Sequence, residues 1–234
     1  MISSLSIIIP AYNEEAVIAK TLSEVSNYLG QQAYSSEIIL VNDGSTDDTA
    51  KIASGFSEVV LINNKVNTGK GASIKRGVAA ASKDFILFID ADLAISINNC
   101  NRFINFASDF DIVIGSKYID QKSEYPIHRK VIGKTFSFLK SAITGLKIKD
   151  TQCGFKLYRS TVAKELFQLS NIKGWCFDVE ILLIAQKKAC KIKELPINVK
   201  NTERISRINV VGSGIQMLYD LVKLRINLFR GKYR

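Results

Sequence analysis

Asp90 and Asp92 stand two apart, with only Ala91 between them, at the end of the apolar run FILFI. Two carboxylates so close repel each other and cost free energy if buried without partners. At a strand's end, residues i and i+2 face the same way, so both can point into one crevice. Two hard oxygen ligands there suit Mg²⁺ or Mn²⁺, which keeps waters and takes further oxygens from substrate phosphates. A solvated turn with a capping aspartate is the plain alternative. Earlier in the chain, NTGKG carries Lys70, and Arg76 follows about a turn and a half later. Glycine flexibility and positive charge at a helix start can approach a diphosphate. The Walker A spacing is absent. Asp43 in VNDGSTD is suited either to accept from a base or ribose or to cap the next helix.

Later in the chain, Asp150, Asp178 and Glu180 are candidate general bases for a hydroxyl acceptor. Each also has a structural reading. Asp150 suits a turn or cap, Asp178 a cap for a helix over Phe177–Lys188, and Glu180 a paired surface charge. His128 is the only histidine and has no evident partner, which favours a structural or exposed role. Its neighbour Arg129 starts a basic helix and is the better acceptor-side candidate. Trp175 and Phe177 are equally suited to packing a lipid or sugar and to filling the core.

These residues need a scaffold. LSIIIP, EIILVND, EVVLIN, DFILFID and DIVIGS are short Ile- and Val-rich runs, the pattern of strands buried on both faces. Helical stretches alternate with them at Glu14–Leu29, Thr46–Phe56, Lys70–Ser82 and Ser96–Ser108, with Ser45 expected to cap the second. Strand–helix alternation predicts an α/β fold with a mostly parallel, doubly wound sheet, whose ligands sit beyond the carboxyl ends of the strands. The polar residues cluster at those ends. The second half predicts a helix over Arg129–Leu146, another over Phe177–Lys188, a strand over Ile192–Val199 and a long helix over Ser213–Phe229. No linker or repeat divides the chain. A single domain over 1–234 is expected, with the regular alternation in its first half (1–115) and a C-terminal helical elaboration in its second (116–234).

The net charge of +10 is uneven. Residues 1–111 hold 8 Lys+Arg against 13 Asp+Glu, and residues 112–234 hold 24 against 9. A basic second half attracts an anion: nucleic acid, a phosphorylated substrate or an acidic membrane surface. No nucleic-acid recognition motif or aromatic platform is visible, so nucleic acid is not expected. Cys100, Cys153, Cys176 and Cys190 form no CxxC pair, which argues against a disulfide framework or structural zinc. No apolar run is long enough for a membrane span, and no secretory signal is seen. A cytoplasmic protein, peripheral on the cytoplasmic face of a membrane, is expected.

Five motifs in order, SIIIPAYNEE, VNDGSTDDT, NTGKGASIKRG, DAD and DTQCGFKLY, resemble glycosyltransferase family 2. The likeness is closest to the polyprenyl-phosphate sugar synthases, and WCFDVEILLIA and INVVGSGIQMLYDLVKLR extend it along nearly the whole chain. The resemblance implies a GT-A fold and inverting, metal-dependent transfer of a hexose from a nucleotide diphosphate sugar to a polyprenyl phosphate. UDP-glucose is favoured as donor, with GDP-mannose open; a saccharide hydroxyl is the alternative acceptor. It further implies that Pro10, Tyr12, Glu14 and Asp43 hold the nucleoside. Lys70 approaches the diphosphate, Asp90 the ribose or metal, and Asp92 the metal. Asp150 sits by the sugar and acceptor, and Arg207 closes over the phosphates. Lys117 stands where many relatives have Arg, which loses a bidentate fork. Leu93 and Ala94 follow the DAD, so a third protein metal ligand is not evident.

Membrane docking rests on two helices. In the C-terminal one, Gln216, Asp220, Lys223, Asn227 and Arg230 form a polar stripe, and the remaining apolar arc is wider than one buried face needs. The excess suits the sheet, a partner subunit or the lipid interface. The other helix brings Arg129, Lys130, Lys134 and Lys140 toward an acidic surface.

Overall fold

The structure, a computed structural model, describes residues 2–119, 137–199 and 210–233. Its centre is a seven-stranded sheet in the order β3-β2-β1-β4-β6-β5-β7. The strands are β1 (Ser4–Ala11), β2 (Ser35–Asn42), β3 (Val59–Asn63), β4 (Phe85–Ile89), β5 (Ile112–Ser116), β6 (Phe155–Arg159) and β7 (Ile192–Pro196). β1 pairs in parallel with β2 and β4, β2 with β3, and β5 with β7. Only β6 runs against its neighbours β4 and β5. The mostly parallel α/β expectation is therefore met.

Successive residues of the central strands feed opposite faces, as a pleat requires. Ile7, Ile9, Ile38, Leu40, Leu87 and Ile89 join one core, with residues of α1 (Glu15–Leu29), α2 (Thr49–Ser54) and α4 (Cys100–Ile104). Ile8, Ile39, Val41, Ile86 and Phe88 join the other, beneath α3 (Lys70–Ala80), α6 (Ser160–Leu169), α7 (Phe177–Lys187) and α8 (Val210–Phe229). A further helix, α5, covers residues 137–144 and ends at Gly145, whose φ of 73° is the left-handed stop that glycine accepts without strain. Close packing also demands glycine at position 77: a Cβ there would lie 2.5 Å from Cγ2 of Ile8 beneath α3.

Some expectations need correction. Ser45 does not cap α2, which starts only at Thr49; its hydroxyl instead accepts the Asn13 N–H at 2.9 Å. The helix expected over Ser96–Ser108 shrinks to a 3₁₀ turn (Ile97–Asn99) and the short α4. β6 and α6 lie outside the expected elements. A lysine at the second position of FKLYR conceals the strand, yet Lys156 is fully buried. The signal for α6 was present, since Ala163, Leu166 and Phe167 bury one face at helical spacing. In α5, Lys140 is buried and donates to the Ile148 carbonyl at 2.5 Å, so it is not presented to an acidic surface. Burial in apolar surroundings pulls its pKa below the usual lysine value, against the opposing pull of Glu194 and Asp150.

α8 keeps Gln216, Lys223 and Arg230 of its polar stripe exposed but turns the other two inward. Asp220, Leu221, Leu224 and Asn227 are buried, while Leu218, Tyr219, Val222, Ile226 and Phe229 face outward. The inward polar groups are satisfied. Gln216 donates to Asp220, Asn227 donates to the Tyr233 hydroxyl at 3.1 Å, and that hydroxyl donates to Glu180 at 2.6 Å. Satisfied buried hydrogen bonds remove the cost of turning these side chains inward. They leave an apolar stripe in the open.

Candidate active site

The strand order changes direction at β1, because the chain runs outward to β2 and β3 and then returns to β4 on β1's other side. That switch point opens a crevice between the carboxyl ends of β1 and β4. Tyr12 and Asn13 lie at one end and Asp90 to Asp92 at the other. Reversed β6 begins at the same edge, where Phe155 pairs with Ile89, so its lead-in DTQCG also reaches the crevice.

The DAD turn is held by its own backbone. Leu93 N–H donates to the Asp90 carbonyl at 3.2 Å, and Ala94 N–H to Asp92 Oδ1 at 3.0 Å. From α1, the buried Thr21 hydroxyl donates to the Ala91 carbonyl at 2.6 Å. Leu93 has φ 46°, a left-handed conformation that costs a branched residue about 1–2 kcal/mol. Its buried side chain offsets that cost. The strain belongs to the turn that presents both aspartates.

Lys70, the first residue of α3, reaches Asp90 Oδ1 at 2.5 Å. Burial lowers the Lys70 pKa, but Asp90, Asp178 and Asp92 together outweigh it, so the ammonium is held charged. Beneath this pair lies a second one. Lys156 on β6 binds the buried Asp178 at 2.5 Å, donates to the Cys153 carbonyl at 2.7 Å and lies over the Phe88 ring. Burial raises the Asp178 pKa, with Lys156 and Lys70 pulling the other way. A chain of alternating charges thus runs beneath the crevice.

Backbone proximity shapes the rest. A Cβ on Gly69 would meet the Lys173 carbonyl at 2.6 Å, and one on Gly71 would meet Cβ of Phe177 at 2.5 Å. Gly69 also has φ 97°, reserved for glycine. The NTGKG glycines therefore serve to seat the start of α3 against the 172–174 segment, with Ala72 N–H donating to Lys173 O at 3.1 Å. Exposed Arg76 does not join Lys70. It donates back to the Asn63 carbonyl and the Asn64 side chain.

Asp43 is buried and binds the loop before α3. It accepts from Asn64 Nδ2 at 2.6 Å, Thr68 N–H at 2.9 Å, the Thr68 hydroxyl at 2.7 Å and Gly69 N–H at 2.9 Å. Burial raises its pKa, yet these donors win and hold it below the usual carboxylate value. It does not cap α2.

The remaining expected residues divide. Pro10 and Glu14 flank the end of β1, and exposed Tyr12 stands between them. Asp150 is buried at the crevice edge; its Oδ2 accepts the Lys117 N–H at 3.2 Å, which ties the ends of β5 and the β6 lead-in together. Lys117 Nζ lies 5.3 Å from the Tyr118 ring. Glu180 is a correction. Fully buried, it accepts from Asn171 and Ile172 N–H groups and from Tyr233, so it anchors α7 to the turn after α8 and to the 171–172 turn rather than facing an acceptor. Asp178 is likewise committed to Lys156. Arg129 and Arg207, with His128, Lys130 and Lys134, lie outside the described residues. Phe177 is core, whereas Trp175 is 43% exposed. Lys156 has no local sequence signal for its role, because its partner Asp178 lies 22 residues away.

A model of glycosyl transferase family 2 matches residues 6–167, which include the crevice from β1 through DTQCG. The chain belongs to this family. It is a glycosyltransferase of GT-A fold. Its sequence is 32% identical to a dolichyl-phosphate beta-glucosyltransferase of Dictyostelium discoideum, over 98% of this chain and 76% of that one. It is 35% identical to one from Trichomonas vaginalis (95% and 73% covered) and 31% to the one of Homo sapiens (98% and 77%). In fold it is similar to glucosyl-3-phosphoglycerate synthase of Mycobacterium tuberculosis in complex with UDP. The TM-score is 0.68 at 23% identity, with 95% of this chain and 80% of that one covered. Another structure of that synthase holds Mn²⁺, UDP-glucose and phosphoglyceric acid; it scores 0.68 at 21% identity, with 95% and 79% covered. Mannosyl-3-phosphoglycerate synthase from Rubrobacter xylanophilus scores 0.70 at 15% identity, with 98% and 74% covered.

Proposed function

We propose that this glycosyltransferase moves glucose from UDP-glucose to a dolichyl or other polyprenyl phosphate, working at an anionic membrane surface. The observation that carries this reading is the match to dolichyl-phosphate beta-glucosyltransferases over 98% of the chain. It includes the basic half as well as the nucleotide-binding half.

The acceptor oxygen attacks C1 of glucose, the bond from C1 to the diphosphate breaks, and UDP leaves with the electron pair. A lipid monophosphate has a second pKa near ~6 and arrives mostly dianionic at pH 7, so it needs no base. Asp150 then orients the acceptor or sugar rather than taking a proton. Tyr12, Pro10 and Glu14 line the nucleoside end. Lys70 sits where it can follow the diphosphate as charge develops on it.

The donor set fits Mg²⁺ or Mn²⁺. Asp90 already carries the Lys70 ammonium on Oδ1, and its carboxylate occupies a space that only a glycine at 154 leaves open. Asp92 keeps Oδ2 beyond the oxygen bound to Ala94. Among the described residues no group of three or more His, Cys, Asp or Glu is set to hold a metal, so two carboxylates and substrate oxygens would complete the shell. The bound ion would neutralise charge on the leaving diphosphate. Asp90 and Asp92 would hold it.

Among the described residues no helix is long and apolar enough to cross a membrane. Access to a lipid acceptor would come from the outward stripe of α8 and from Phe138 of α5, 72% exposed. Exposed apolar patches of this kind mark membrane or protein contacts.

The test is transfer itself. Purified protein, radiolabelled UDP-glucose, Mg²⁺ and dolichyl phosphate in mixed micelles should give label that extracts into organic solvent, and unlabelled GDP-mannose should compete poorly. Label that stays aqueous, with or without a saccharide acceptor, would overturn the reading.

A further inference from the structure

We propose that Trp175 is a specificity residue that carries the transferred hexose on its indole face. The inference deepens the nucleotide-sugar reading above and rests on it. Trp175 and Phe177 are two apart in one aromatic segment, yet the fold separates their roles. Phe177 is 1% exposed and packs against Phe88 and Phe167, whereas Trp175 is 43% exposed. A large aromatic ring left half in water has forgone part of its hydrophobic stabilisation.

Its position is the informative part. Lys70 Nζ lies 5.2 Å from the centroid of the Trp175 ring and 2.5 Å from Asp90. One ammonium therefore pairs with the carboxylate of the DAD turn and lies within cation–π range of the indole. The segment bearing Trp175 is not loose: Lys173 O accepts from Ala72 at the start of α3, and Gly69 and Gly71 admit no Cβ against it. That backbone is held against the start of α3, and the ring stands beside the lysine there. A diphosphate on Lys70 and the DAD turn places its attached sugar a bond or two away, beside this ring. The apolar C–H face of a hexose packs on an aromatic plane, and the sugar hydroxyls stay free to bond elsewhere. UDP alone would meet Lys70 and carry no sugar to lay on the indole.

Trp175 is the only tryptophan in the chain, so its emission reports this position alone. In the full-length protein with Mg²⁺, saturating UDP-glucose should change the emission intensity or maximum clearly beyond the change with saturating UDP. By calorimetry, Trp175→Ala should lower affinity for UDP-glucose about tenfold more than affinity for UDP, and Trp175→Phe should recover most of that difference. Identical emission with both ligands would overturn the proposal. So would equal loss of both affinities in Trp175→Ala, because the ring would then act only by holding Lys70. If calorimetry detects neither ligand on the wild type, the nucleotide-sugar reading itself fails, and this inference with it.

Discussion

A Cβ on Gly154 would fall 1.8 Å from Oδ2 of Asp90. The reversed strand β6 delivers this glycine to the end of β4, so the two motifs DAD and DTQCG meet backbone to side chain. Gly154 is not in a left-handed conformation, so steric contact with the carboxylate is the reason for its type. Gly154→Ala is expected to keep the fold and to cut kcat/KM about a hundredfold, the cost of an ångström-scale misplacement at a reacting site. Steady-state kinetics beside a thermal melt check this. Activity within twofold of wild type would show that Asp90 tolerates displacement.

Asp92→Asn keeps the shape of the turn and loses the charge a hard cation needs. Metal-dependent binding of UDP should disappear in calorimetry, and turnover should fall on the order of a hundredfold or more. The circular dichroism spectrum should not change. Undiminished Mg²⁺-dependent binding would remove Asp92 from the metal site.

Lys156 and Asp178 form a buried ion pair at 2.5 Å. Removing one partner strands the other charge, which costs about 3–5 kcal/mol. Lys156→Met should therefore lower the urea midpoint sharply. Lys156→Met combined with Asp178→Leu should regain much of that loss, because two apolar groups need no compensation. Additive losses in the double variant would contradict the pairing.

Asp43 gives the protein an acid limit. Its folded pKa is depressed below the unfolded value of 3.8, so its contribution is complete above that value and fades as pH falls through the lower folded one. Wild type should lose more stability than Asp43→Asn when the pH drops from 5 to below 3, measured by denaturant midpoints. Parallel acid profiles would mean that the loop donors do not favour the charged form.

Membrane association should depend on α8. Wild-type protein is expected to co-sediment with anionic vesicles, less so at high salt. Tyr219→Ser with Phe229→Ser should reduce the bound fraction severalfold without lowering the melting temperature, since both rings are exposed (63% and 79%). Wild-type protein left in the supernatant at low salt would point to a separate membrane partner.

The parallel strands and the DAD motif were legible from sequence because each is a local pattern. Ile- and Val-rich runs bury both faces of β1, β2 and β4, and alternation with helices forces parallel pairing. The placement of Tyr12, Lys70, Asp90 and Asp92 at one edge followed, since a doubly wound sheet gathers the carboxyl ends of its strands there. Other features depend on residues distant in the chain. Lys156 reads as a break in a strand until Asp178 is brought against it. Glu180 reads as a surface charge until the 171–172 turn and Tyr233 close over it. Asp220 and Asn227 of the α8 polar stripe read as wet, like their exposed stripe-mates, until Gln216 and Tyr233 satisfy them inside. Trp175 and Phe177 are alike in sequence, and only packing decides which becomes core. Periodicity tells which residues share a face. Whether a polar or aromatic side chain turns inward depends on a partner that supplies its hydrogen bonds or contacts, and that partner exists only after tertiary folding.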